Sequence, residues 1–241
     1  MAGLLLGGVV LLGASVQWMT GMGFALVAVP ALVLVLGPHD GVSLANCGAG
    51  LICLAGLAEG WRQVRLRSMV PLIVAAACTV PLGAWFARRL PEPVLLVTMG
   101  ALVTIAVLLL LRGFRLRALT GLGGAVGAGA VGGFMNASAG LGGPPMSLYA
   151  VNAGWTIREF VPNALFYGAV VNVFSVATSG LPALDAGRWA TAGAGLVAGA
   201  VVGRTLAGRV SEPRARLLVL MLALIGGATT LLKGVWGLLP A

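Results

Sequence analysis

Apolar residues run along the chain in eight stretches, at roughly 3–36, 42–61, 69–87, 94–111, 119–153, 160–180, 189–207 and 217–238, with short charged or Gly/Pro-rich connections between them. The stretches show no alternation of apolar and polar positions, so they predict helices rather than strands. Runs near twenty residues predict transmembrane spans, and the missing alternation excludes an outer-membrane barrel. Two runs do not fit a single crossing. The first and fifth hold about 34 residues each, roughly 50 Å as ideal helix against a hydrocarbon core of about 30 Å, whereas two full crossings ask for about 40 residues.

Both long runs are interrupted near the middle, the first by QWMTGMG (Gln17 to Gly23), the fifth by NASAGLGGPP (Asn136 to Pro145). Glycine permits a reversal there, and Pro144 and Pro145 remove two donors that a continuous helix would use. A re-entrant helical hairpin, or two short half-helices, is expected in each run.

The basic residues test this expectation, because loops facing the cytoplasm collect Lys and Arg. If every run crosses once, the two faces hold 8 and 7 basic residues, which is no bias. If runs one and five return to their own side, Arg62, Arg65, Arg67, Arg112, Arg115, Arg117, Arg158, Arg204, Arg209, Arg214 and Arg216 share one face, 11 against 4. Both termini then lie outside the cytoplasm. A displacement of 120 residues also aligns GAWFARRLPEP (83–93) with GRTLAGRVSEP (203–213), with five identities in eleven. The expected fold is therefore an all-α integral membrane protein of two inverted repeats, 1–117 and 118–241, each a broken or re-entrant hairpin plus three transmembrane helices.

Composition agrees: 59% of residues are hydrophobic and 9% charged, with a mean hydropathy of +1.05. The net charge of +9 would suggest nucleic acid in a soluble protein, but the arginines fall between hydrophobic runs and report topology, so no nucleic-acid partner is expected. Cys47, Cys53 and Cys78 lie in apolar runs without CxxC spacing and beside a single histidine, so we expect packing residues and no metal or disulfide. The N-terminus lacks a basic n-region and is expected to be retained membrane structure.

Irregular backbone inside a bilayer is tolerated only against protein or a wet cavity. Half-helices beginning near Phe24 and Pro145 would point their N-termini into such a cavity, an arrangement suited to an anion. The intramembrane polar residues fit that choice. Gln17, Thr20, Asn46, Asn136, Ser138, Asn163, Tyr167 and Asn172 can donate hydrogen bonds, and no Asp or Glu sits centrally in a run. Tyr167 and Asn172 suit helix packing as well as binding. Close packing is also the role expected of Gly7, Gly8, Gly123, Gly124, Gly127 and Gly129. His39 and Asp40 are expected in a solvated turn, Arg158 and Glu159 as an interfacial pair, and Trp61, Trp155 and Trp189 as interface anchors. No HExxH or GxSxG motif is present and the one histidine lies in a connection, so no enzyme activity is expected.

GGFMNASAGLGGPPMSLYAV (132–151), with Gly140, Gly142, Gly143, Pro144 and Pro145, resembles the glycine-rich Gly-Pro motif of the sulfite exporter TauE/SafE family. GMGFALVAVPALVLVLG (21–37) is similar to its first-half counterpart through Gly21, Gly23 and Pro30, departing at Phe24 and Ala25 where the family often has further glycines. The resemblance implies a bacterial inner-membrane carrier of sulfite, organosulfonates or related small organic anions. The expected substrate site comprises Gln17, Thr20, Gly21, Gly23, Asn46, Asn136, Ser138, Gly140, Gly142, Gly143, Pro144, Pro145 and Asn163, with no cofactor. The expected partners are the anion and the lipid bilayer, with a homodimer left open. Export by alternating access is the leading expectation; a passive channel and proton-coupled uptake are the alternatives.

Overall fold

The computed structural model describes residues 2–21, 23–112, 120–206 and 212–239. Among these it is all helical: α1 (Ala2–Thr20), α2 (Phe24–Leu36), α3 (Pro38–Gly60), α4 (Leu66–Arg89), α5 (Glu92–Leu111), α6 (Gly121–Ala139), α7 (Gly143–Asn152), α8 (Ile157–Ser179), α9 (Ala186–Leu206) and α10 (Glu212–Leu238), with a 3-10 turn at Trp61–Gln63. Six helices, α1, α3, α4, α5, α8 and α10, are long and apolar enough to cross a membrane, which makes this a multi-pass membrane protein.

Local chemistry sets the boundaries. Proline at the start of α3 costs nothing, because a first-turn N–H has no intrahelical acceptor anyway. In α8, Thr156 and Glu159 form a reciprocal capping box, each side chain taking a backbone N–H of the other. α6 stops at Gly140, whose φ of +69° is open to glycine at little cost. Gly140 N–H then bonds the Asn136 carbonyl (2.8 Å) and Leu141 N–H the Met135 carbonyl (3.1 Å), the doubled closure of a left-handed C-cap.

Both long runs are broken where the composition indicated, but unequally. α1 and α6 have 19 residues each and α2 and α7 have 13 and 10, so the alternative of two short half-helices is corrected: a full-length helix precedes a short one. The chain doubles back after α1. A Cβ added to Gly13 would stand 3.1 Å from both the Ala28 Cβ and the Phe24 ring. His39 and Asp40 form the first turn of α3 rather than a solvated turn, because Pro38 opens the helix and Gly37 alone (φ +85°) makes the connection.

The helices pair α4 with α6, α1 with α9, α5 with α10, and α3 with α8 at the centre. Small residues permit the close approach. Gly129 and Gly133 of α6 lie on the α4 backbone at Leu72 and Ala76, and a Cβ on Gly203 of α9 would stand 2.6 Å from the Ser15 carbonyl oxygen of α1. Of the other glycines assigned to packing, Gly7 lies against Thr191, whereas Gly8, Gly123 and Gly127 face open space.

Contacts between the connections sort the ends of the bundle. At one end Arg65 pairs with Glu159 and Arg204 with Glu59 (3.6 Å). Glu159 thus pairs across the bundle with Arg65 rather than with its neighbour Arg158. At the other end Arg88 donates to the Thr178 carbonyl (3.0 Å) and Asp40 accepts the Ala183 N–H (3.0 Å). Arg115, Arg117 and Arg209, and the side chains of Arg214 and Arg216, lie outside the described residues.

Candidate functional site

The two breaks border one cavity of about 50 Å3 beside the α3–α8 contact. That is room for a few waters or one small oxyanion, since a water needs roughly 10–15 Å3. Gln17, Gly21, Gly23, Asn136, Gly142, Gly143 and Pro144 line it, so seven of the residues expected at the site converge from runs more than a hundred positions apart. Cys53, Tyr167 and Asn172 complete its polar wall.

Asn136 holds the second break in shape. Its Oδ1 accepts the Gly142 N–H (3.0 Å), while Nδ2 donates to Ser175 Oγ (2.8 Å) and Asn172 Oδ1 (3.1 Å). The amide's two N–H bonds are thereby used within the protein. Asn46 lies behind it, donating to the Asn136 carbonyl at 3.4 Å and outside the cavity wall. Gln17 does the same work at the first break: Oε1 accepts the Phe24 N–H (2.9 Å) and Nε2 donates to Cys53 Sγ (3.2 Å). Cys53 is therefore a polar partner as well as a packing residue.

The spare donors sit elsewhere. The Tyr167 hydroxyl is buried with no hydrogen-bond partner, and Tyr167 lines the cavity. Gly143 carries the one N–H among the first three residues of α7, because Pro144 and Pro145 have none. Asn172 Nδ2 spends one hydrogen on the Gly168 carbonyl (2.8 Å) and keeps the other. No Asp, Glu, Lys or Arg among the described residues lines this cavity.

Several expected residues lie away from it. Thr20 lines a neighbouring, larger cavity of about 200 Å3, mostly apolar, with Trp155, Ile157 and Val161 at the Arg65 end; it meets the central cavity at Leu26 and Pro144. Gly140 packs against Val29, and Pro145 is buried outside the wall. Ser138 Oγ donates to the Phe134 carbonyl (2.8 Å), and the residue borders a third cavity. Asn163 ties a connection: its Oδ1 accepts the Arg65 N–H (2.8 Å) just before α4.

Tyr167 and Asn172 were legible as donors but not as cavity residues, because a period of 3.6 does not say which neighbour a face will meet. One signal carries that information for Asn172: it lies on the long helix after the second break, 36 residues past Asn136, as Cys53 lies 36 residues past Gln17 on the long helix after the first.

A family model described as Sulfite exporter TauE/SafE matches residues 5–230. No curated protein and no solved structure matches the chain.

Proposed function

The chain belongs to the sulfite exporter TauE/SafE family, a family of transporters, and from that premise we propose that it exports sulfite, short organosulfonates or related small organic anions by alternating access at the cavity between the breaks. The observation that carries this reading is Tyr167, a residue of the cavity wall whose hydroxyl is buried without a partner. An unsatisfied buried hydroxyl costs about 1–3 kcal/mol. An oxyanion in the cavity would remove that cost and accept from Gly143 N–H at the positive end of α7.

The absence of carboxylates from the described cavity wall supports an anionic substrate and offers no ligands for a coupling cation. Export needs none, because an inside-negative potential favours outward movement by about 2.3 kcal/mol per charge per 100 mV. Uptake would need coupling, for which His39, Glu59 and Asp185 are peripheral candidates.

In this reading the halves 1–117 and 118–241 are inverted repeats in a bacterial inner membrane, with both termini periplasmic. Matched contacts support the repeat. Gly21 (φ +73°) packs on Val161, and Gly140 (φ +69°) has Val42 within 3.7 Å of its added Cβ; the two glycines are 119 positions apart, as are the two valines. Each α1–α2 or α6–α7 hairpin would return to its own side, which places the arginine-rich end of the bundle in the cytoplasm.

Flux of radiolabelled sulfite in proteoliposomes, with potential and pH gradient imposed separately, tests the proposal. Saturable flux that follows the potential at equal pH is the expected result. Non-saturating flux would make the protein a channel. Strict dependence on inward proton flow would overturn potential-driven export.

A further inference from the structure

We propose that the protein holds a second, peripheral site for the same class of small oxyanion, in the cavity of about 30 Å3 at the His39 end where Ser43, Ser138 and Arg88 converge. The inference rests on the carrier reading and adds the place where the anion waits after leaving the central cavity, or before returning to it.

Among the described residues Ser43 is the second buried side chain whose hydroxyl has no partner; at 1% exposure it cannot turn to solvent, yet it lines this cavity. Arg88 lies on the same wall. The side chain is exposed, and one of its five N–H groups goes to the Thr178 carbonyl (3.0 Å), which leaves others that a negative oxygen could accept from. His39 is at the rim with its Nδ1 3.5 Å from Asp40 Oδ1, while the Asp40 carboxylate lies outside the cavity and accepts the Ala183 N–H. A buried, unpartnered hydroxyl and an arginine on the wall of one small cavity together suit a compact anion.

The two cavities meet successive residues of one helix. Asn136 lines the central cavity, and Ala137 and Ser138, the next two residues of α6, line the outer one. Leu141, fully buried, stops the central side. A small displacement of the α6–α7 tip would therefore pass an anion from Tyr167 towards Ser43. The break then both shapes the central site and separates it from the outer one.

Binding of radiolabelled sulfite to the purified full-length protein in detergent tests the inference, with Arg88→Lys as the charge-retaining control. Two classes of site per chain are expected. Tyr167→Phe should weaken the tighter one at least tenfold and leave the weaker one in place. Ser43→Ala and Arg88→Gln should weaken only the second, by a similar factor, with Arg88→Lys close to wild type. Ser43→Ala removes a hydroxyl that bonds nothing, so folding is expected to be intact; a wild-type melting temperature would establish that. A single class of site, sensitive to Tyr167→Phe and indifferent to Ser43→Ala and Arg88→Gln, would overturn the second site and leave the central one standing. Sulfite binding nowhere would overturn the central reading, and this inference with it.

Discussion

Gln17 and Asn136, 119 residues apart, make the same pair of contacts in the two halves of the chain. Each accepts an N–H at the start of the short helix that follows, from Phe24 (2.9 Å) and Gly142 (3.0 Å), and each donates to the residue 36 positions further on, Cys53 (3.2 Å) and Asn172 (3.1 Å). A broken helix leaves orphan donors inside the bundle, and one amide per break satisfies the first of these donors.

The two amides should nevertheless differ in what they hold. Replacing Gln17 by Ala strands one backbone N–H and a weak thiol contact. Asn136→Ala strands the Gly142 N–H and also the acceptors on Asn172 and Ser175. With about 1–3 kcal/mol for each strongly bonded group left unpaired, we expect Asn136→Ala to lower stability more than Gln17→Ala. Thermal unfolding of both variants in the same detergent measures it; equal losses would contradict the assignment of Asn136 as the principal clamp.

Tyr167 should behave in the opposite way. Its hydroxyl bonds nothing in the empty protein, so Tyr167→Phe should leave the melting temperature unchanged or raise it. A hydrogen bond to a charged group contributes about 1.5–3 kcal/mol, which corresponds to roughly a 10- to 100-fold loss of sulfite affinity. Thermal shift with added sulfite reads both effects in one titration, since a ligand stabilises the native state by mass action. A variant that melts lower when empty and binds sulfite as wild type does would assign Tyr167 to packing.

The aromatic rings of the two halves are placed differently, and that difference gives a coupled test. In the first half Phe24 is wedged between α1 and α3: a Cβ on Gly13 would stand 3.1 Å from its ring, and one on Gly48 2.6 Å. In the second half the ring belongs to the long helix instead, with the Tyr167 hydroxyl against Gly132. Gly48→Ala should therefore overpack the first break and cost about 1–3 kcal/mol. Phe24→Leu should cost stability by itself, yet recover part of the loss in the double variant. A double-mutant cycle in thermal unfolding gives the coupling; additive losses would mean that the ring moves aside freely.

How far the site was legible in the sequence follows from which forces are local. The breaks could be read from Gly140, Pro144 and Pro145, because backbone chemistry acts on the residues that carry it. The helix at His39 was misplaced because Pro38, a breaker in an interior, is a starter at a first turn. Asn163 and Asn136 look alike in sequence, two amides in apolar runs, and only the tertiary pairing separates a tie on Arg65 from a clamp on Gly142. Cys53 was invisible as a polar partner because its role depends on Gln17 arriving from another helix.

The same distinction decides what the glycines of α6 do. Gly127 and Gly129 belong to one GxG pair and are indistinguishable by composition, yet they face opposite ways. Gly129 lies on the Leu72 backbone of α4, and any Cβ there meets a carbonyl that cannot rotate away; Gly127 has nothing within 4 Å. Gly129→Ala should therefore push α4 and α6 apart and lose close packing that a membrane helix pair has no hydrophobic effect to replace. A loss of about 1–3 kcal/mol is expected, the range for overpacking. Gly127→Ala adds a methyl group to an open face and removes a flexible residue from a helix, a gain of about 0.5–1 kcal/mol. Melting temperatures in detergent should thus move in opposite directions for substitutions two residues apart. If both fell together, the α4–α6 contact would not be the one that Gly129 makes possible. Because α6 leads directly into Asn136, sulfite affinity should fall with Gly129→Ala and stay at the wild-type value with Gly127→Ala.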